Sequence, residues 1–357
     1  MSYLDRVTSM LSHDIGIDLG TANTLVYVKG VGIVINEPSV VALNEKTGQV
    51  VAVGRQAKHM LGRTPQHIRA VRPLVDGVIS DFEVAEEMLS YLIAKAQRGR
   101  QRILGPRVVI GVPSGITNVE VRAVRDAAKN AGARDIHIVE EPMAAAIGAR
   151  LPVTRAGGNM VIDIGGGTTD VAIISLAGVV EAQNIKIAGD HLNEAIISYI
   201  KDEFKILIGD VTAEELKFAV CSVEEQGEPL EATIRGRDVV TGLPREVVIT
   251  DTDVREAIIP HLDTLMESLK AILESTPPEI LGDVMQRGVI VTGGGALIPG
   301  MPELIEMVLG VPASRVDDPL TTVVRGTGTI LDHFEEFRDI LIKHDDQPVV
   351  ARAGEGA

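Results

Sequence analysis

The chain has no tryptophan, five phenylalanines and four tyrosines, so aromatic packing contributes little to its interior. A core must be built from Val, Ile, Leu, Ala and Met, a bias that suits parallel sheets covered on both faces. The single cysteine, Cys221, excludes an internal disulfide, and no Cys/His cluster has the spacing of a zinc site. A reducing cytoplasm is the expected compartment. Basic residues are in deficit, 34 Lys and Arg against 50 Asp and Glu for a net charge of −16. Phosphate backbones need a basic surface, so no nucleic-acid partner is expected; contact with a membrane through an apolar anchor stays open. Long apolar runs are also missing. The stretch from Val171 to Val180, bounded by Asp170 and Glu181, falls far below the roughly 18 residues of a membrane span. The N-terminus has no basic segment followed by a long apolar one, so no secretory signal is expected. With 357 residues and 45% hydrophobic content, the chain exceeds one simple core, and two domains are expected.

What the chain does contain is one short pattern written twice. Ile17-Asp18-Leu19-Gly20-Thr21-Ala22-Asn23-Thr24 is answered by Ile162-Asp163-Ile164-Gly165-Gly166-Gly167-Thr168-Thr169. In each copy an apolar strand leads to an Asp, then a Gly two positions later and a Thr at six. A single Asp-x-Gly is an ordinary turn; two with matching flanks suggest similar half-molecules facing across a shared anionic ligand. Glycines at a hairpin tip let backbone N–H groups approach phosphate oxygens, because no Cβ intervenes. Asp18 and Asp163, at the ends of buried strands, suit Mg²⁺, which takes few carboxylates and keeps several waters. There is no Gly-Lys-Ser/Thr, so a Walker loop is absent, and the glycines do not fit the dinucleotide fingerprint.

Between the motifs, strands and helices alternate, which implies an α/β architecture. Strands are expected at 15–28 (two, around a turn), 33–34, 40–42, 50–53, 108–112, 136–139, 160–164, 171–175, 231–234, 246–249 and 289–291. Helical periodicity covers 82–96 behind Asp81 as N-cap, a helix follows Thr117 and stops at Gly132, and Pro142 opens another. Further helices are expected over 191–205 and 212–220. Asp253 with Glu256 resembles a capping box, before Ile258, Leu262, Leu265, Leu269 and Ile272 at helical steps, with Thr276-Pro277-Pro278 as the stop. Residues 152–158 read as a linker. Thr292-Gly293-Gly294-Gly295-Ala296 is a third glycine loop, expected between a strand and a helix.

Asp18-Leu19-Gly20-Thr21, Val139-Glu140-Glu141-Pro142-Met143-Ala144-Ala145-Ala146, Asp163-Ile164-Gly165-Gly166-Gly167-Thr168 and Thr292-Gly293-Gly294-Gly295 occur in the order of the actin/Hsp70/sugar-kinase superfamily. Asn36-Glu37-Pro38-Ser39, Leu61-Gly62-Arg63-Thr64-Pro65, Val78-Ile79-Ser80-Asp81-Phe82 and Thr276-Pro277-Pro278-Glu279 are similar to the bacterial actins of the MreB family. The resemblance runs from about Asp14 to His333. It implies an α/β, actin-like (duplicated ribonuclease H-like) fold with two large domains, a smaller insertion in each, and a nucleotide cleft between them. The first large domain would take 1–42, 76–155 and 325–343, with 43–75 inserted. The second would take 156–191 and 256–324, with 192–255 inserted and 344–357 a disordered tail.

The resemblance also implies ATP and Mg as ligands. Thr21, Ala22 and Asn23 would lie against the phosphates in the first loop, and Gly165, Gly166, Gly167 and Thr168 in the second. Glu141 would act on the water that attacks the γ-phosphate, with Thr168 helping to place it; Glu140 remains the alternative, since helix-start carboxylates also serve to offset the helix dipole. Glu214 and Lys217 would contact ribose and base, although the sequence departs from the family pattern after Lys217. Gly189-Asp190 would form a further turn near the nucleotide, and Gly293, Gly294, Gly295 and Ala296 the adenosine face.

Family members polymerise on the inner face of the cytoplasmic membrane and guide wall synthesis and rod shape, with a transmembrane adaptor and wall-elongation proteins as partners. Two anchors are therefore candidates. Leu4, Val7 and Leu11 share a helical stripe, and Ile103-Leu104 sits among Arg98, Arg100 and Arg102 in a loop facing anionic lipid. A frayed terminus and a solvated basic loop are the alternatives. Two other functions compete. An Hsp70-type chaperone would carry a peptide-binding domain after the nucleotide domain, whereas 20 residues follow Phe337. A sugar or acid kinase would need a base for a substrate hydroxyl, and the strings shared with the MreB family argue against it.

Overall fold

Buried β-branched residues set the first sheet. The computed structural model describes residues 13–97, 105–225 and 227–342. Ile15–Leu19 (β1), Asn23–Val28 (β2) and Gly32–Pro38 (β3) form an antiparallel meander, and Val41–Asn44 (β4), Val50–Val53 (β5) and Ile68–Val71 (β6) a small separate sheet. A short helix, Arg55–Lys58 (α1), lies between β5 and β6. The two-residue strands Leu74–Val75 (β7) and Val78–Ile79 (β8) make a tight hairpin. Phe82–Ala96 (α2) starts at Asp81, whose side chain accepts the Val84 N–H. Arg107–Val112 (β9) and Asp135–Glu140 (β10) then add parallel to β1, separated by Asn118–Asn130 (α3) with its Thr117–Glu120 capping box. Glu141–Gly148 (α4) follows directly.

The second half repeats this plan. Asn159–Ile164 (β11), Thr169–Ser175 (β12) and Gly178–Ile185 (β13) form the meander. Gly189–Tyr199 (α5) passes into a π-helical turn over Ile200–Phe204, and Asp210–Val220 (α6) follows the two-residue Ile206–Leu207 (β14). Glu231–Asp238 (β15) and Pro244–Thr250 (β16) complete a small sheet with β14. Asp251–Ser275 (α7) and Pro278–Arg287 (α8) lead to Val289–Thr292 (β17), which joins β11 in parallel; Met301–Leu309 (α9), Ala313–Arg315 (β18) and Thr322–Asp332 (α10) end the fold. The strand orders are β3-β2-β1-β9-β10 and β13-β12-β11-β17-β18, the same topology twice. The architecture is the expected actin-like α/β fold.

Alternation along the central strands explains how the halves join. Val108 and Ile110 face the cluster formed with α2 and α3, whereas Val109 faces the other way. Ile162 and Ile173 face the helices of the second half, whereas Val161, Ala172 and Ile174 do not. These remaining faces meet on α4 and α10, in one buried cluster that includes Val139, residues 143–147, Val323, Ile330 and Leu331. Helices α4 and α10 cross so closely that a Cβ on Gly326 would overlap the Ala144 carbonyl, and one on Gly148 the Thr322 carbonyl.

Several expectations need correction. The box at α7 is Thr250 with Asp253, not Asp253 with Glu256: Thr250 Oγ1 accepts the Asp253 N–H at 3.2 Å and the Asp253 carboxylate accepts the Thr250 N–H at 2.8 Å. Glu256 instead accepts the Tyr199 hydroxyl at 2.7 Å. The third glycine loop leads into a 3₁₀ turn, Gly294–Leu297, and the next α-helix waits until Met301. Sequence reading also missed β13, β18, α8, α9 and α10, with the short elements β6, β7, β8, β14 and α1. Helix α10 is rich in Thr, Val and Gly, which favour helices poorly; its burial against β1 and α4 overrides that preference. Among the described residues no helix is long and apolar enough to cross a membrane.

The α4–α10 contact gives a direct test. Gly326→Ala puts a methyl into backbone, which cannot yield as a side-chain tip can, and should destabilise the protein by about 1–3 kcal/mol. Urea unfolding measures this, and an unchanged midpoint would contradict the packing described.

Candidate functional site

Both halves place the carboxyl ends of their parallel strands toward one cleft, the position where open α/β sheets bind ligands. The cleft holds about 480 Å³, within the range of small-molecule sites. Asp18 lies beside Gly111 at the end of β1, and Asp163 beside Thr292 at the end of β11. The two glycine loops cap these strands as matched tight hairpins. A Cβ on Gly20 would come within 2.7 Å of the Asn23 carbonyl, and one on Gly165 within 3.0 Å of the Thr168 carbonyl.

The loops also touch each other across the cleft. A Cβ on Gly166 would sit 2.6 Å from the Ala22 methyl, and one on Gly167 2.7 Å from Thr21 Oγ1. Each is braced from behind. The Ser39 hydroxyl donates to the Gly20 carbonyl at 2.6 Å, and the Gly189 and Asp190 N–H groups donate to the Gly165 and Gly166 carbonyls at 3.1 and 2.7 Å. Thr21 Oγ1 accepts the Gly77 N–H at 3.0 Å, which inserts the β7–β8 hairpin beside both loops.

The cleft brings together Asp18, residues 20–23, Glu141, Asp163, residues 165–168, Gly189, Asp190, Glu214, Lys217 and residues 293–295. Ala296 is fully buried behind this wall rather than at its surface. Glu141, and not Glu140, is among the lining residues; Glu140 takes the N-cap position of α4 without a side-chain capping bond. Glu141 passes beside Gly111, where a Cβ would meet Glu141 Cγ at an ordinary contact distance of 3.4 Å and press on Val323 Cγ1 at 3.1 Å. Leu4, Val7, Leu11, Ile103, Leu104 and the tail after 343 lie outside the described residues.

Electrostatics mark this floor as the unusual part of the molecule. Burial pushes the Asp18 carboxyl up to about 7. Asp163 is raised by burial and then by the charges of Asp18 and Asp170, and Glu141 by burial and then by Asp170, Asp18 and Asp163. Such crowding is relieved by a cation. Among the described residues no three His, Cys, Asp or Glu side chains converge on one metal position; Asp18 and Asp163 are the few carboxylates that an ion keeping most of its waters, such as Mg²⁺, takes.

At the mouth, ion pairs bridge the halves: Lys58 of α1 with Glu214 of α6 at 2.5 Å, and Arg72 with Asp190 at 3.0 Å. Lys217 Nζ donates to the Gly189 carbonyl at 2.7 Å, and burial lowers its pKa while Asp190 and Glu214 hold it up. Sequence reasoning missed Asp170, Phe218, Cys221, Pro319 and Leu320, all of which line the cleft. Asp170 had a legible signal, an acid two residues after Thr168 in an apolar strand. Pro319 and Leu320 had none, because their place depends on how the last helix docks.

The family model described as MreB/Mbl protein matches residues 12–339. The chain is 47% identical over 328 residues to the cell shape-determining protein Mbl of Bacillus subtilis (strain 168), covering 92% of this chain and 98% of that one. It is also 47% identical over 333 residues to the cell shape-determining protein MreB of Escherichia coli (strain K12), covering 92% and 96%. Among solved structures, MreB5 of Spiroplasma citri bound to ADP is similar with a TM-score of 0.87 at 38% identity, covering 92% of this chain and 98% of that one; the same protein bound to AMPPNP matches equally.

The lone thiol reports on this wall. Burial pushes Cys221 up to about 11, so its reactive thiolate is scarce at neutral pH. Iodoacetamide labelling of the native protein should be slow and rise about tenfold per pH unit from pH 8 to 10. A rate that levels off near pH 8.5 would contradict this environment.

Proposed function

The chain belongs to the MreB/Mbl family, and we propose that it is a cytoskeletal ATPase that polymerises into filaments on the inner face of the cytoplasmic membrane. There it organises wall synthesis and maintains rod shape, through a transmembrane adaptor and wall-elongation proteins. The observation that carries the nucleotide part is the cleft walled by two copies of one glycine hairpin in van der Waals reach of each other. The ADP- and AMPPNP-bound states of the Spiroplasma relative support the same ligand class here.

Phosphates enter between residues 20–23 and 165–168, where glycines let the main chain approach. Asp18 and Asp163 would hold Mg²⁺, and the ion would supply positive charge against the phosphates. Glu141 takes a proton from the attacking water, and its basicity is raised by the same burial that lifts its pKa. Thr168 fixes that water in line with the γ-phosphate. Glu214, Lys217 and residues 293–295 hold the nucleoside end. A bound nucleotide bridges both halves, which favours one closed shape and hence one repeating head-to-tail contact. Such a heterologous contact generates an open filament. Leu4, Val7 and Leu11, or Ile103 and Leu104, anchor it; many weak anchors on one filament add up to firm binding.

Glu141→Ala should bind ATP with wild-type affinity while releasing phosphate about 100-fold more slowly. Unaltered phosphate release would remove Glu141 from the mechanism.

A further inference from the structure

Asp170 lines the cleft floor and has no part in the mechanism so far. It is 2% exposed, and in the β11–β12 register it faces Asp163. Its carboxylate gathers donors from three places in the fold. Oδ1 accepts the Ser114 backbone N–H at 2.7 Å, from the loop after β9 in the first half. Asn184 Nδ2, on β13, reaches Oδ1 at 3.1 Å and Oδ2 at 3.0 Å. The Thr168 hydroxyl donates to Oδ2 at 3.0 Å.

The chemistry of these groups fixes their direction. A peptide N–H and an amide NH₂ only donate, so both carboxylate oxygens are acceptors. A hydroxyl has one proton, and Thr168 gives it to Asp170. Its remaining lone pairs are what it can offer to a partner in the cleft, which it lines together with Glu141. With its proton engaged, Thr168 cannot donate to a phosphate oxygen. It can accept from a water.

We propose that Asp170 is a positioning residue, which by taking the Thr168 proton sets Thr168 as an acceptor for the attacking water. This rests on the hydrolase reading above. The water then donates one proton toward Glu141 and the other to Thr168 Oγ1, leaving a lone pair directed at the γ-phosphorus. As the new P–O bond forms, the bond to the β-phosphate oxygen breaks, ADP leaves with that electron pair, and Glu141 takes the first proton. Asp170 does not touch the water. Because Ser114 belongs to the first half and Thr168 to the second, the same carboxylate also ties the polarity of this hydroxyl to the seating of the two halves.

Asp170→Asn tests this, because it keeps the shape and changes one acceptor into a donor. The Ser114 N–H holds the new amide oxygen at the Oδ1 side, so the NH₂ faces Thr168 and reverses its hydroxyl. Phosphate release at saturating Mg-ATP should fall about 10- to 100-fold, with ATP affinity within about threefold of wild type. The NH₂ also confronts the Asn184 amide, so D170N combined with N184D restores that pair. The double variant should recover wild-type melting temperature and stay slow, because Thr168 still faces a donor. A D170N protein hydrolysing at the wild-type rate would overturn the proposal. So would a double variant that regains rate and stability together, which would make Asp170 a purely structural residue. Wild-type protein that releases no phosphate would instead fell the hydrolase reading, and this role with it.

Discussion

Where α4 crosses α10, the Ala144 carbonyl occupies the space that a β-carbon on residue 326 would need, and the Thr322 carbonyl the space needed by one on residue 148. No side chain separates the two backbones there. The contact matters because of what each helix carries. Helix α10 covers β1 and β9 of the first sheet, while α4 begins with Glu141 and leans on β11 and β12 of the second. The reach of Glu141 toward the second glycine loop is therefore set by a helix separation that cannot widen without opening the buried cluster shared by both sheets. Close-packed interiors do not deform smoothly, so this contact fixes how the two sheets are spaced.

The cleft is built on the opposite logic. Its floor concentrates Asp18, Glu141, Asp163 and Asp170, all raised by burial; the charges of Asp170 and Asp18 raise Glu141 and Asp163 further. Such crowding of buried carboxyls costs stability, a cost that a cation between them would relieve. Its walls approach so closely that only glycine fits at 166 and 167. A ligand that brings its own cation and bridges both loops removes the cost and links the halves at once. Ion pairs from Lys58 to Glu214 and from Arg72 to Asp190 close the mouth above it.

Much of this was legible in the sequence because it depends on local chemistry. The duplicated Asp-Gly hairpins, the Asp81 and Thr117 caps, and the apolar run of β9 each express a rule operating within a few residues. Glu140 and Glu141 could not be separated that way, since adjacent acids on a strand-to-helix corner differ only in where the corner turns. Helix α10 was hidden because its Thr, Val and Gly content reflects the space available beside α4 and Tyr27 rather than helix preference. Asp253 was assigned to the wrong end of its capping box because a polar pair at three-residue spacing does not reveal which member is the cap. Phe218, Cys221 and Leu320 reach the cleft by tertiary packing alone.

The proposed function makes assembly on a membrane depend on nucleotide in this cleft. Electron microscopy of the purified protein on anionic liposomes, with Mg-ATP and without nucleotide, tests it most directly. Filaments should lie on the vesicle surface only when nucleotide is present. Dispersed protein in both conditions, across a range of concentration and salt, would contradict it.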